Sequence, residues 1–242
     1  MSDKDYSDMI KILEGAGFEV MPPEPSLSDP PQRRKTRYLL SEWEARRLEA
    51  TPQITDKVII RLGTRLGLRV SEMHVARIGQ IERRMVVDHD NDEEVEVRFL
   101  HVWGKKTRQK KGSGEKKHRM VYMDLETFEF IEEMKDDFDL DEVGYLALKP
   151  DGTCFSMSGL RSRIYKLARD GGIGLKEDGM KTFVSGHDLR RFWATNGLQV
   201  QRIDTQVMLD QGGWASPQAM QPYQSQPTPD IIYKNLKRGG AL

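Results

Sequence analysis

One cysteine, Cys154, stands in 242 residues. No intrachain disulfide can form, a zinc site built from several cysteines is excluded, and a reducing compartment is the default expectation. Long apolar runs are missing as well: nothing approaches the roughly 20 residues that a membrane-spanning helix needs, and the acidic N-terminus does not read as a secretory signal. The sequence therefore predicts a cytoplasmic protein with no membrane partner. Net charge is also missing, since 38 Lys and Arg residues balance 38 Asp and Glu residues. The balance hides a segregation, because 88–96 is acidic, 105–119 is strongly basic and 126–142 is acidic again. A basic run of this kind is an ordinary solvated face unless functional residues stand beside it.

What is present suits a folded domain with a tail. Apolar residues make up 37% of the chain, enough for a core of domain size. Residues 1–35 read as a tail or linker, with a short amphipathic piece at 6–13 and a proline-rich run at 21–32. Arg33, Arg34, Lys35 and Arg37 close it, either as contacts to a polyanion or as a solvated boundary. The folded domain is expected over 36–242. Ser41 and Glu44 form a capping-box pattern that opens a helix to about Ala50. Helical periodicity follows at 56–68 through Val58, Ile59, Leu62 and Leu66, closing at Gly67, and Ser71 is placed to cap a short helix with Glu72 and Met73. Between them Arg69 is flanked by Leu68 and Val70. It is a surface arginine on a turn or a guanidinium aimed at a site, and local sequence favours the first, since arginine is seldom buried unpaired.

Residues 85–88, 94–103 and 120–123 carry the β-branched and aromatic content of strands and predict a three-stranded antiparallel sheet with an acidic first turn at Asp90, Asn91 and Asp92. The second connection holds Lys105, Lys106, Arg108, Lys110, Lys111, Lys116 and Lys117 around Gly112-Ser113-Gly114. A long cationic hairpin suits a nucleic-acid backbone and offers a mobile proton donor. Helices resume at 125–135 and 158–169, where Arg161, Arg163, Lys166 and Arg169 make a second basic face or plain helix surface. The fold class is α+β, mainly helical with a small three-stranded antiparallel sheet.

Ser185 reads as an N-cap whose hydroxyl accepts backbone N–H groups, with Asp188 reaching back, so a helix starts near Gly186. His187 and Arg190 then share one face of its first turn, where imidazole and guanidinium can converge on an anion near the positive end of the helix dipole. A helix at 203–210 ends at Gly212-Gly213. Trp214 follows as a packing residue whose indole N–H can reach a surface acceptor. Pro217 and Pro222 separate it from Tyr223, which falls on an accessible turn or helix start. Thr228-Pro229 opens a last helix to about Lys237, with Tyr233 in its apolar register beside Ile232 and near Leu236.

Taken in order, Leu66-Gly67-Leu68-Arg69-Val70-Ser71-Glu72, a hairpin lysine, His187-Asp188-Leu189-Arg190, Gly213-Trp214 and Tyr223 nine residues beyond Trp214 form a set. This set resembles the catalytic domain of the tyrosine recombinases, the phage-integrase family, over about residues 36–242. The resemblance implies a site-specific DNA recombinase or integrase of a virus or other mobile genetic element, cleaving and rejoining strands through a covalent 3′-phosphotyrosine. It implies that Arg69 and Arg190 hold the scissile phosphate, that Tyr223 attacks, that His187 assists proton transfer, and that Trp214 donates its indole N–H to a phosphate oxygen where many members have histidine. A hairpin lysine protonates the leaving 5′ oxygen: Lys106, before Thr107, fits one family pattern and is favoured over Lys117, before His118-Arg119, which fits another. Glu72 is a supporting residue, and Lys105, Arg108, Lys110 and Lys111 bind the DNA backbone. No metal and no nucleotide cofactor are implied. The implied partners are double-stranded DNA, other copies of the chain in a tetramer on paired sites, linked by a segment such as 228–242, and an accessory DNA-binding protein. That last partner follows from a departure: the family places a helical core-binding domain ahead of the catalytic one, and 1–35 is too short for it. Arg191 departs too, standing where many members have a second histidine. Two other readings stay open at this point, a DNA-binding accessory that does not cleave and a topoisomerase-like enzyme that nicks and reseals one duplex.

Overall fold

Ser41 and Glu44 close the first helix reciprocally: the Glu44 backbone N–H donates to Ser41 Oγ at 3.2 Å and the Ser41 N–H donates to Glu44 Oε2 at 2.8 Å. In this computed structural model, residues 38–104, 118–174, 184–221, 232 and 237–238 are described. The chain divides into two units, Met1–Thr36 and Arg37–Leu242, and every described residue belongs to the second. The expectations for 1–35, the cationic hairpin, Tyr223, Tyr233 and most of the last helix lie outside the described residues.

Helix α1, Glu42–Glu49, packs on α2, Ile54–Thr64. Val58, Ile59, Ile60 and Leu62 of α2 are all fully buried. A helix apolar on several faces belongs in the middle of a core, and α2 touches α1, the third and fourth helices and the His187 helix. It ends at Thr64, ahead of the expected 68, and the chain turns through Gly67 at φ 63°, where a Cβ would overlap the Trp193 ring. Helix α3, Val70–Met73, follows directly. Ser71 lies inside it and is not its cap. Arg69 occupies that position, and the Glu72 carboxylate accepts the Arg69 backbone N–H at 2.8 Å.

Strands β1, Ile81–Asp88, β2, Glu93–Trp103, and β3, His118–Met123, form an antiparallel sheet in the order β1-β2-β3. Val86 pairs with Val95, Ile81 with Leu100 and Trp103 with His118. Strand β1 begins at Ile81, ahead of the expected 85, because the charged run Glu82-Arg83-Arg84 pairs through its backbone with 97–99. Alternation gives the sheet one buried face, Leu100, Val102, Val121 and Met123, which rests on the core.

Helix α4, Leu125–Asp137, is capped by Asp124, and α5, Met157–Asp170, by Ser156. On α5, where the sequence leaves open a second basic face or plain helix surface, Arg163 is neither, because its guanidinium forks onto the buried Asp56 carboxylate, with Nε to Oδ1 at 2.7 Å. Helix α6, Gly186–Thr195, runs into a π-helical turn, Asn196–Val200. Helix α7 spans Thr205–Gly212, two residues later than expected at each end, because the Asp204 side chain caps it. Gly213 closes α7 in the left-handed region at φ 65°, a conformation glycine adopts without penalty. The sequence reading did not foresee α8, Pro217–Met220, which Ser216 caps with proline at its first position. Ala194, Met208, Leu209, Trp214 and Met220 make a second, smaller core around this end. No described helix is long and apolar enough to cross a membrane.

Candidate active site

Arg190 is fully buried in the first turns of α6. A guanidinium removed from water must give its donors to acceptors. Nη1 donates to the carbonyl of Gly67, in the turn before α3, and Nη2 donates at 2.6 Å to the carbonyl of Gly212, at the end of α7. Its plane lies over the Trp214 ring, 4.3 Å from the centroid, and Trp193 stacks on Trp214 at 5.9 Å. One arginine therefore ties together the turn that carries Arg69 and the turn that carries Trp214. Arg190, expected to share an anion with His187, is anchored to two backbone carbonyls.

His187, on the same turn, is exposed. Partial burial of the ring lowers its pKa, the Arg190 charge lowers it further, Asp188 opposes, and Arg69 and Arg191 add to the lowering. These three arginines thus act on one imidazole and favour its neutral form. At the helix start the Asp188 carboxylate accepts both the Ser185 backbone N–H at 2.9 Å and the Ser185 hydroxyl at 2.7 Å. Ser185 and Asp188 thus form the expected capping box, and the serine hydroxyl donates to Asp188 as well. Arg191 donates to the other oxygen of Asp188 at 2.9 Å. Arg191 thus steadies the residue that positions the His187 turn.

Glu72 is buried between two arginines. Arg69 Nη1 donates to its Oε1 at 2.8 Å, and Arg119 Nη1 and Nη2 donate to Oε1 and Oε2 at 2.9 and 3.0 Å. Burial alone raises the carboxyl pKa, but the hydrogen bonds and charge of Arg119, then the charge and backbone N–H of Arg69, outweigh it and bring the pKa to about 2. Arg119 also donates from Nε to the Gln211 carbonyl at 2.8 Å. The side chain of Gln211 clips β3 in turn: its amide nitrogen donates to the Met120 carbonyl at 3.2 Å and its oxygen accepts the Tyr122 N–H at 2.7 Å.

A cavity of about 750 Å³ opens beside this cluster, with Arg69, Glu72, His118, Arg119, Gln211 and Trp214 in its wall. Two guanidiniums against one carboxylate leave the wall positive, and guanidinium forks match the oxygens of a phosphate. Of the residues singled out from sequence, Arg69, Glu72 and Trp214 line the cavity, while His187 and Arg190 stand next to that wall, Arg190 through its stack on Trp214. Arg69, which local sequence favours as a plain surface arginine, lines the cavity and is paired with Glu72. The indole Nε1 of Trp214 is buried in the cavity wall, and Arg190 lies over its ring. Lys105, Lys106, Arg108, Lys110, Lys111, Lys117 and Tyr223 lie outside the described residues. Arg119 and Gln211 escaped the sequence reading. Strand parity carried a signal for Arg119, which shares its face of β3 with Val121 and Met123 and is thus a charge on the core side of a strand. Among the described residues no group of three or more His, Cys, Asp or Glu is arranged to hold a metal ion.

No protein-family model matches the sequence, and no curated protein matches it. Solved structures do match the fold. XerA recombinase superimposes with a TM-score of 0.60 at 20% identity, over 84% of this chain and 65% of that one. XerH site-specific recombinase, in a post-cleavage complex with palindromic difH substrate, gives 0.55 at 15% identity over 84% and 52%. Tn1549 transposon integrase in complex with transposon right end DNA gives 0.54 at 14% identity over 99% of this chain and 80% of that one. The chain thus spans just under two thirds of the XerA chain and about half of the XerH chain. Helices gathered around α2, a three-stranded antiparallel sheet on their flank and an arginine-walled cavity between sheet and α7 together make this the fold of the tyrosine recombinase catalytic domain.

Proposed function

We propose that the chain is a tyrosine recombinase, cleaving one DNA strand at a time and rejoining it to another through a 3′-phosphotyrosine. The observation that carries this reading is the convergence of sequence-distant cations on one cavity: Arg69 and Arg119 in its wall around Glu72, and Arg190 stacked on the Trp214 that completes the wall. A phosphodiester is the anion that such permanently charged forks suit.

In the proposed step the phenol oxygen of Tyr223 attacks phosphorus, the P–O5′ bond breaks, and the phosphate stays joined to the 3′ end. The phenol proton passes to His187, whose lowered pKa keeps the imidazole neutral and able to accept it. The leaving 5′ oxygen takes a proton from the cationic hairpin, from Lys106 or Lys117. Charge gathering on the phosphate is held by Arg69 in the cavity wall, with the charge of Arg190 behind it on Trp214, and both stay protonated throughout. Bond energy is retained in the phosphotyrosine ester, so a 5′ hydroxyl from another strand reverses the step. Duplex DNA, further copies of the chain on paired sites and an accessory DNA-binding protein are the partners this reading needs.

A suicide duplex nicked beside the cleavage site tests it. The wild-type chain is expected to form a covalent adduct, Tyr223→Phe to bind the duplex without forming one, and Tyr233→Phe to form it normally. An adduct that survives in Tyr223→Phe and disappears in Tyr233→Phe would place the nucleophile one segment further on and remove the role given to Trp214.

A further inference from the structure

The solvent face of the sheet carries a run of aromatic rings that the cleavage chemistry leaves unused. Phe99, His101 and Trp103 alternate along β2, and the register sets them against Tyr122, Met120 and His118 of β3 on the same face. Trp103 is 43% exposed and Tyr122 50% exposed. The rings form a ledge: His101 stacks on His118 at 5.0 Å, Trp103 meets His118 at 5.1 Å and His101 at 6.2 Å, and Phe99 meets Tyr122 edge-on at 6.3 Å. Hydrogen bonds fix its centre. The Glu82 carboxylate can only accept, so His101 Nε2–H donates to it at 2.6 Å, and His101 Nδ1 shares a hydrogen bond of 2.8 Å with His118 Nε2. Ring edges are thus held within the sheet, and the π-faces of Trp103 and Tyr122 are left to solvent.

We infer that this ledge is a binding site for the unstacked bases of single-stranded DNA, the strand that cleavage sets free. Its charge surroundings choose the ligand. Phe99, His118 and Met120 border the same cavity as Arg69 and Arg119, whose two positive charges exceed the one negative charge of Glu72. An apolar protein surface docking here would cover that excess positive charge without compensating it. A single strand satisfies both halves, with phosphates for the cations and bases for the rings. Paired duplex cannot use the ledge, because its base faces are already stacked on one another. The inference rests on the recombinase reading for its ligand, DNA, and not on the cleavage step.

The test uses the full chain with a short single-stranded oligonucleotide carrying one 2-aminopurine, and the same sequence as duplex. Stacking quenches the 2-aminopurine, so the wild-type chain is expected to quench the single strand. Trp103→Ala and Trp103→Leu should each lower single-strand affinity about tenfold and abolish the quench, with duplex affinity held within about twofold. Trp103→Phe, which keeps a π-face, should retain most of both signals. Unchanged single-strand binding in Trp103→Ala overturns the inference, as does an equal loss on single strand and duplex. Full rescue by Trp103→Leu also overturns it, since apolar area alone would then suffice and a protein partner would be the better occupant. Adduct formation on the nicked duplex is scored separately: no adduct with stacking intact sinks the recombinase reading and leaves the ledge standing.

Discussion

Glu72 shows how a buried acid decides the state of its neighbours. Its carboxyl, brought to about 2 from an ordinary 4.5, is pushed up by burial and held down more strongly by Arg119 and Arg69. A folded-state pKa below the unfolded value adds stability that is fully present above about pH 4.5 and is lost as pH falls through about 2. The depression corresponds to something on the order of 3 kcal/mol. Glu72→Gln keeps the shape and removes the charge, leaving the buried Arg119 guanidinium without its counter-ion. The variant is expected to lose about 3 kcal/mol at pH 7, and less at pH 3, where the wild-type contribution is itself partly gone. Urea unfolding at both pH values measures this. An equal loss at both would mean that Glu72 acts through shape alone.

At the scale of elements, the cavity depends on how α7 meets the sheet. The free edge of β3 offers the Met120 carbonyl and the Tyr122 N–H, and Gln211 takes both with one side-chain amide, as a neighbouring strand would with its backbone. Its own carbonyl accepts from Arg119, so the strand leading out of the cationic hairpin, the Glu72 cluster and the Trp214 turn are held by one residue. Gly212 completes the arrangement, since a Cβ there would overlap the Trp214 ring. Gln211→Ala is expected to cost about 2 kcal/mol for two lost hydrogen bonds, to slow adduct formation, and to raise hydrogen exchange at the Tyr122 amide. Unchanged protection of that amide would show that the clip does not hold the edge.

The same elements show what a sequence displays and what it hides. Caps announced α1 and α6 because a serine and an acid three residues on act locally, within one turn. The sheet was legible from Val86, Val87, Val95, Val97 and Val102, whose branched side chains suit a pleated surface. The start of β1 was hidden because its pairing is made by backbone beneath charged side chains. Arg163 looked like solvated surface because Asp56, its partner, lies 107 residues away. Arg69, Glu72, His187, Arg190 and Trp214 stand out by their motif, yet the burial of Arg190 and of the Trp214 indole does not, because both follow from packing between α6, α7 and the Gly67 turn. Arg119 and Gln211 have meaning only once β3 and α7 are side by side.

At the scale of the whole molecule, a chain with no net charge binds a polyanion only if its charges are sorted in space. The acids of 88–96 lie at the exposed β1–β2 turn, whereas Gly104 and His118, the residues that bracket the basic run 105–117, line the arginine-walled cavity. In the recombinase reading, DNA in that cavity is expected to meet the basic run, while the acidic turn sits at the opposite end of β2. Each lysine placed on phosphate releases counter-ions, and for duplex DNA the slope of log affinity against log salt changes by about 0.9 per contact. Replacing Lys105, Lys106, Lys110 and Lys111 together by glutamine is therefore expected to weaken binding to every duplex sequence alike and to flatten the slope by about 3 to 4. Replacing Glu93, Glu94 and Glu96 by glutamine should leave the slope within about one unit of the wild type, since these acids face no phosphate. Fluorescence anisotropy with a labelled duplex across a salt series measures both. An unchanged slope in the lysine variant would mean that the basic run points away from DNA, and the orientation of the duplex on the cavity would have to be reversed.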